Sequence, residues 1–366
     1  MTNKLRVGIV FGGKSTEHEV SIRSAQAIAQ GLDRSRYVPI LIEVDKCGRW
    51  RINDQHDALH KQAGKYSANA SIGSEEIALL RGISGEQLVS KFGAKFPKNI
   101  DVFFPIVHGT SGEDGCLQGL LRVAGLPFVG SDVLASAICM DKDVAKRLLR
   151  DAGVPVTPFI TMNRTNAKRT SFERVKEKLG MPVFVKPANQ GSSVGVRRAS
   201  DQDSFYAAVD LALRFDHKIL IEAAVVGREV ECAVLGNDNP IVSSCGEIVI
   251  DKEFYTYGAK YHDPQTRILV PANISAAVEA RIQNISLRVF ETLGCSGLAR
   301  IDCFLTENDE VIVNEVNSLP GFTPSSMYPA LWDREGLGFE SLLSHLIELA
   351  LERHIERNML TTVNPI

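Results

Sequence analysis

The chain of 366 residues carries 41 basic and 44 acidic side chains, a formal net charge of −3, with 44% hydrophobic and 23% charged residues. That balance excludes a disordered chain, and with no run of like charge longer than a few residues it excludes a surface built for nucleic acid. Seven cysteines without a CxxC pair, no apolar run near the ~18 residues of a membrane span, and only Val7 to Phe11 apolar at the N-terminus lead to the expectation of a reduced, cytoplasmic protein with no membrane partner.

In chain order, Leu5 to Phe11 reads as a buried strand, Gly12-Gly13 as a turn, Val20 to Leu32 as a helix and Tyr37 to Val44 as a second strand, a βαβ opening. A polar stretch from Cys47 to about Lys98 reads as extra surface on the first domain, without an assigned role. A strand over Val102 to Val107 ends at His108-Gly109; a helix follows within Gly112 to Gly130, with a short strand over Pro127 to Gly130. Lys142 to Ala152 is a helix closed by Gly153, and the first domain boundary falls in or just before it. Two hairpins are expected, Pro182 to Arg197 and Lys218 to Leu235, then a sheet region and a final helix from about Gly338 to Arg357.

Residues Gly8 to Ser15 spell GIVFGGKS, a literal P-loop pattern. A true P-loop needs its four intervening residues as a loop whose N–H groups cradle phosphate, whereas Ile9 to Phe11 continue a buried strand. The better reading is a glycine turn passing close to a ligand, with a helix starting after Ser15. Glu17 then stands where a parallel sheet opens beyond its strand ends, either to hold an ammonium group or to face the helix dipole. Farther on, FVKPANQGSSVGV from Phe184 to Val196 delivers Lys186 from a strand into a loop rich in N–H and hydroxyl donors, with a second strand from Val194. It is either an anion cradle or a plain glycine-rich hairpin. The segment Ile219 to Glu229 passes from a buried strand through a short link, whose backbone suits an adenine edge, with Glu229 placed for ribose hydroxyls.

Leu298 to Leu305 and Val311 to Val316 form a hairpin around the polar cluster Thr306 to Glu310. A tight turn at Asn308-Asp309 pairs Glu307 with Glu310, Cys303 with Asn314, Asp302 with Glu315, and Arg300 with Asn317. Two carboxylates then face each other at roughly 4.5 to 5.5 Å, which is destabilising unless a positive charge lies between them. The choice is a solvated face or a hard cation such as Mg²⁺, which takes carboxylate and amide oxygens and bridges to phosphates.

Taken in order, GGKSTEHEVS at Gly12 to Ser21, His108-Gly109 with GEDG at Gly112 to Gly115, MDK at Met140 to Lys142, Lys186-Pro187 with GSSVG at Gly191 to Gly195, Lys260-Tyr261, RID at Arg300 to Asp302 and EVNSLPG at Glu315 to Gly321 resemble the ATP-grasp enzymes. Within them the resemblance to the D-alanine:D-alanine ligase family spans nearly the whole chain. It implies an α/β (α+β) fold of three domains: 1–139, a parallel-sheet N-terminal domain, then 140–227 and 228–366, two α+β units holding ATP between them. The implied function is ligation of two D-alanines through a D-alanyl phosphate for peptidoglycan synthesis; the alternative is a ligase with another acceptor such as D-lactate. By the same resemblance, Lys142, Lys186, Ser193, Glu222, Glu229 and Lys260 bind the nucleotide, and Asp302, Glu315 and Asn317 hold Mg²⁺ or Mn²⁺, two ions being expected. Arg300 and Gly321 face the oxyanion, while Glu17, Ser192 and Tyr261 close the site. Glu17, His108, Ser326 and Met327 receive D-alanine, and the protein is expected to be a homodimer. The link after Glu222 reads EAAVVG, without the aromatic often found there.

Overall fold

The computed structural model describes residues 4–53, 75–79, 88–90, 99–167, 170–249 and 267–360. Its elements in order are β1 (Leu5–Gly12), α1 (His18–Gly31), β2 (Tyr37–Val44), β3 (Trp50–Asn53), β4 (Glu75–Leu79), β5 (Leu88–Ser90), β6 (Val102–Pro105), α2 (Cys116–Val123), α3 (Val133–Met140), α4 (Lys142–Asp151), β7 (Phe159–Asn163), α5 (Arg164–Ala167), α6 (Phe172–Leu179), β8 (Val183–Pro187), β9 (Arg197–Ala199) and α7 (Gln202–Phe215). They continue with β10 (Lys218–Ala223), β11 (Arg228–Gly236), β12 (Ile241–Val249), β13 (Arg267–Leu269), α8 (Ala276–Thr292), β14 (Gly297–Leu305), β15 (Val311–Asn317), α9 (Met327–Arg334) and α10 (Phe339–Asn358).

Three sheets organise the chain. The first, in order β5-β4-β3-β2-β1-β6, is parallel across β2-β1-β6 and antiparallel from β2 to β5. Part of the polar stretch 47–98 therefore extends this sheet instead of lying on its surface. The expected strand over Pro127 to Gly130 shrinks to a single bridge between Phe103 and Phe128. The second sheet, β7-β10-β8-β9, and the third, β13-β12-β11-β14-β15, are antiparallel.

The expected hairpin Lys218 to Leu235 does not form. Its halves lie in different sheets: β10 pairs with β7 and β8, β11 with β12 and β14. Both edges of β10 are taken by β7 and β8 and both edges of β11 by β12 and β14, so residues 224–227 become a crossing between two sheets, and a cleft opens there. The strand expected from Val194 starts at Arg197, because Ser192, Ser193 and Gly195 take left-handed backbone angles, φ 49°, 58° and 74°.

A single apolar core joins the first and third sheets: Val7 and Phe104 meet Leu235 and Leu298, with Leu342 and Leu346 of α10 between. Phe322, fully buried, sits 5.8 Å edge-on from Phe104 and 5.9 Å from Tyr328, so the loop leaving β15 is fastened to that core. Emptying a Phe site of this kind costs about 3–5 kcal/mol. A second core lies under α8 and the third sheet, and another inside the second sheet.

Candidate active site

Between the second and third sheets lies a cavity of about 410 Å³. Lys142, Lys186, Ser193, Glu222, Glu229 and Asp302 line it, together with Asn314 and Glu315. Apart from the neighbours Asn314 and Glu315 on β15, each arrives from a separate segment, which explains why no single motif reveals the site.

The metal-site expectation turns on the hairpin register. Arg300 pairs with Asn317 and Asp302 with Glu315, as expected, but Cys303 pairs with Val313 instead of Asn314. Two departures cancel. The turn is a three-residue loop: Asp309 N–H donates to the Thr306 carbonyl at 3.0 Å, Thr306 N–H donates to Glu310, and Asp309 adopts φ 59°. The extra loop residue shifts the register by one, and a bulge between Asp302 and Cys303 restores it. Asn314 and Glu315 consequently both line the cavity.

Arg300 is buried and grips Asp302 with two bonds, Nε to Oδ1 and Nη2 to Oδ2, each 2.7 Å, while Glu231 Oε2 lies 2.8 Å from Nε. Burial opposes its charge, yet Asp302 and Glu231 more than offset this and hold its pKa well above the usual value. Asn317 Nδ2 donates to Asp302 Oδ2 at 2.9 Å, and Lys142 Nζ lies 3.5 Å from Glu315 Oε2. Asp302 and Glu315 line the cavity, and the Asn317 amide, outside its lining, is bonded to Asp302; two carboxylates and an amide are a hard-oxygen donor set that fits a divalent cation. Among the described residues no three His, Cys, Asp or Glu side chains cluster as a metal site, so here the amide complements the two carboxylates.

Lys142 Nζ also donates to the Gln190 carbonyl at 2.8 Å. It starts α4, whose N-cap Asp141 accepts from Val144 N–H. Lys186 on β8 reaches Glu222 Oε2 at 2.7 Å and Asn314 Oδ1 at 3.5 Å. Burial pushes the Glu222 carboxyl upward, but Lys146 and Lys186 outweigh it and keep its pKa below the ordinary value.

The start of α1, packed beside the first sheet, contributes Glu17. Its carboxylate accepts a hydrogen bond from Ser192 Oγ across the molecule, and is buried. It is not spent on its own helix: Glu17 is the N-cap of α1 without a side-chain cap bond. A Cβ on Gly191 would lie 3.0 Å from Glu17 Oε2, a crowded contact that glycine avoids. Gly12 and Gly13 turn close past neighbouring chain: a Cβ on Gly12 would meet the Val44 carbonyl at 2.3 Å and one on Gly13 the Val107 side chain at 2.6 Å. Residues Gly8 to Gly12 are strand, which disposes of the P-loop.

His108 is buried with Nε2 3.1 Å from Ser24 Oγ, which in turn accepts from Phe322 N–H at 3.4 Å, one residue beyond Gly321. Ser326 is the N-cap of α9; its hydroxyl accepts Thr323 N–H at 3.1 Å and lies 2.8 Å from Thr323 Oγ1. Met327 sends its side chain into the first core, leaving its backbone at the helix start. Lys260 and Tyr261 lie outside the described residues. Glu231, Asn314 and Lys146 are additions. The spacing Glu229, Glu231 on one strand face could have pointed to Glu231; Asn314 depends on the bulge and gives no local signal.

Two α+β sheet units enclosing a cavity with paired lysines on one side and facing carboxylates on the other define an ATP-grasp enzyme. The chain belongs to the D-alanine–D-alanine ligase family: residues 6–131 match the model of the D-ala D-ala ligase N-terminus and residues 148–348 that of the C-terminus. It is 53% identical over 360 residues to D-alanine–D-alanine ligase A of Salmonella typhimurium, covering 98% of this chain and 99% of that one, and equally to that of Escherichia coli K12. Among solved structures, the D-alanine-D-alanine ligase from Coxiella burnetii superposes with a TM-score of 0.87 at 37% identity, covering 97% of this chain and 96% of that one. The VanG D-Ala:D-Ser ligase from Enterococcus faecalis gives 0.85 at 35%, covering 95% and 100%. The Bacillus anthracis D-alanine–D-alanine ligase complexed with ATP gives 0.73 at 27%, covering 96% and 99%.

Proposed function

We propose that this chain joins two D-alanines into D-alanyl-D-alanine with ATP, through a D-alanyl phosphate, as a step of cell-wall peptidoglycan synthesis. The observation that carries the reading is the convergence on one cavity of Lys142 and Lys186 from one sheet unit with Asp302 and Glu315 from the other. Phosphoryl transfer needs little else from a protein than positioning and charge neutralisation.

In this reading Lys142, Lys186 and the N–H groups of the 191–195 loop, Ser193 included, face the triphosphate. The link after Glu222 and the Glu222 carboxylate read the adenine edge, and Glu229 takes the ribose hydroxyls. Mg²⁺ or Mn²⁺ held by Asp302, Glu315 and Asn317 would supply charge neutralisation at the phosphates. Glu17, with His108 nearby, holds the ammonium of the first D-alanine, so its carboxylate attacks the γ-phosphate. Ser326, the N–H of Met327 and Lys260 take the carboxylate of the second, whose neutral amine displaces phosphate. Arg300 and the N–H of Gly321 stabilise the tetrahedral oxyanion. The Glu17–Ser192 bond, extended by Tyr261, holds the loop closed and keeps water from the acyl phosphate. The proposal also includes a cytoplasmic homodimer and boundaries at 139/140 and 227/228.

The test is incubation with Mg²⁺-ATP and D-alanine, alone or with equal D-lactate, following phosphate release and product masses. D-Alanyl-D-alanine should dominate at neutral pH. Ester as the main product, or phosphate release without either product, would replace this reading.

A further inference from the structure

Lys146 is one turn beyond Lys142 on α4, yet it does not line the cavity. Its side chain is only 2% exposed, and its ammonium lies 3.1 Å from Glu222 Oε1. The other Glu222 oxygen is held by Lys186 at 2.7 Å. Among the described residues, neither Lys146 Nζ nor Glu222 Oε1 has a hydrogen-bond partner beyond this ion pair. A buried lysine without another carboxylate within ion-pair reach among the described residues is expensive to keep, and the mechanism above gives it no task.

Glu222 explains it. The carboxylate sits in the cavity wall, opposite Phe184 on β8 and Phe159 on β7. Buried among such neighbours it would take up a proton unless cations face it. In the free protein two do. Once a nucleotide is bound, Lys186 must share its charge with phosphate, and Lys146 alone remains dedicated to Glu222.

We propose that Lys146 is a positioning residue for base selection: from behind the cavity wall it keeps Glu222 an ionised acceptor, matched to the 6-amino group of adenine and opposed to a 6-oxo group. This rests on the reading of the cavity as an ATP site. A carboxylate accepts hydrogen bonds on both oxygens and donates none; a protonated acid, or an amide, can donate to a 6-oxo purine. The discrimination therefore depends on a charge that never touches the nucleotide.

The experiment compares kcat/KM for ATP and for inosine triphosphate, at saturating Mg²⁺ and D-alanine, in wild type, Lys146→Met, Lys146→Arg, Glu222→Gln and the double variant Lys146→Met/Glu222→Gln. Glu222→Gln should lower the ATP:ITP ratio by about tenfold to a hundredfold, the worth of a hydrogen bond to a charged group. Lys146→Met should approach that value, chiefly through KM, with kcat within about threefold; Lys146→Arg should restore the ratio. The double variant should match Glu222→Gln, since Lys146 acts only through that carboxylate. A wild-type ratio in Lys146→Met overturns the proposal. So does a double variant well below Glu222→Gln, and this comparison decides the matter if Lys146→Met alone does not fold. A wild-type ratio in Glu222→Gln instead removes Glu222 from base reading, and an absence of ATP turnover in wild type removes the proposed function itself.

Discussion

Asp302 and Glu315 stand opposite each other across β14 and β15, but each is matched to its own cation: Arg300 holds Asp302 with two 2.7 Å bonds, and Lys142 lies 3.5 Å from Glu315. Like-charge repulsion across the hairpin is thereby relieved before any metal arrives. The two carboxylates are unequal in the free protein, although a shared cation would need both.

That inequality separates two variants. Asp302→Ala removes the main partner of a buried arginine and should lower apo stability by about 2 kcal/mol, Glu231 retaining part of the compensation. Glu315→Ala loses a longer, partly exposed pair and should cost under ~1 kcal/mol. Both should abolish turnover at ordinary Mg²⁺ and weaken Mn²⁺ binding in the presence of ADP. Urea melts of the apo proteins and Mn²⁺ titrations measure this. Equal apo stabilities would contradict the pairing seen here, and undiminished turnover would remove the metal assignment.

Arg300 touches Asp302 and Glu231 and no other carboxylate by direct bond among the described residues. If its guanidinium also meets the oxyanion, Arg300→Lys should lower kcat by about a hundredfold or more, because a point ammonium cannot reproduce the planar fork. The KM for ATP should change little. Steady-state kinetics decide; a variant impaired mainly in KM assigns Arg300 to nucleotide binding.

The Ser192–Glu17 contact predicts a coupling defect. Ser192→Ala removes a hydrogen bond to a charged group and should weaken loop closure by about tenfold. Gly191→Ala should have a similar effect by another route, since its Cβ would crowd Glu17 Oε2 at 3.0 Å. In both, phosphate released per dipeptide formed should rise as water reaches the acyl phosphate. A ratio of one in both variants means that this contact does not seal the site.

The parts of the site legible in the sequence were those fixed by local chemistry. Periodicity and glycine placement located β1, α1, α4 and β14–β15, and the facing of Asp302 and Glu315 followed from counting residues. That count held only because the longer turn at Thr306 to Glu310 and the bulge at Asn314 compensate. Neither leaves a clear mark in sequence, since a bulge is a property of two strands together. The Lys218 to Leu235 segment failed for a related reason: β10 and β11 are adjacent in sequence and would pair well, but which sheet each joins is settled by distant strands. Lys146 was invisible because a lysine four residues after another on an amphipathic helix reads as solvent-facing, and only Glu222, far along the chain, makes its burial tolerable.

Lys146 also predicts how stability varies with pH. Burial first, then Lys186, lowers its ammonium from 10.5 to about 8, against the attraction of Glu222. Between these values the unfolded chain binds a proton that the folded protein has released. Stability therefore rises with pH through this group, from about pH 8 towards 10.5, with a ceiling of about 1.4 kcal/mol per pH unit for one whole proton. Below pH 8 the group is charged in both states and contributes no slope. Lys146→Met lacks the proton, so the stability difference, wild type minus variant, should grow more favourable to wild type from pH 8 to 10 and stay level from pH 6.5 to 7.5. Urea melts at these four pH values measure it in the apo protein. Parallel pH curves for the two proteins throughout would mean that Lys146 titrates like a solvent-exposed lysine, and that its ion pair with Glu222 does not hold a desolvated charge.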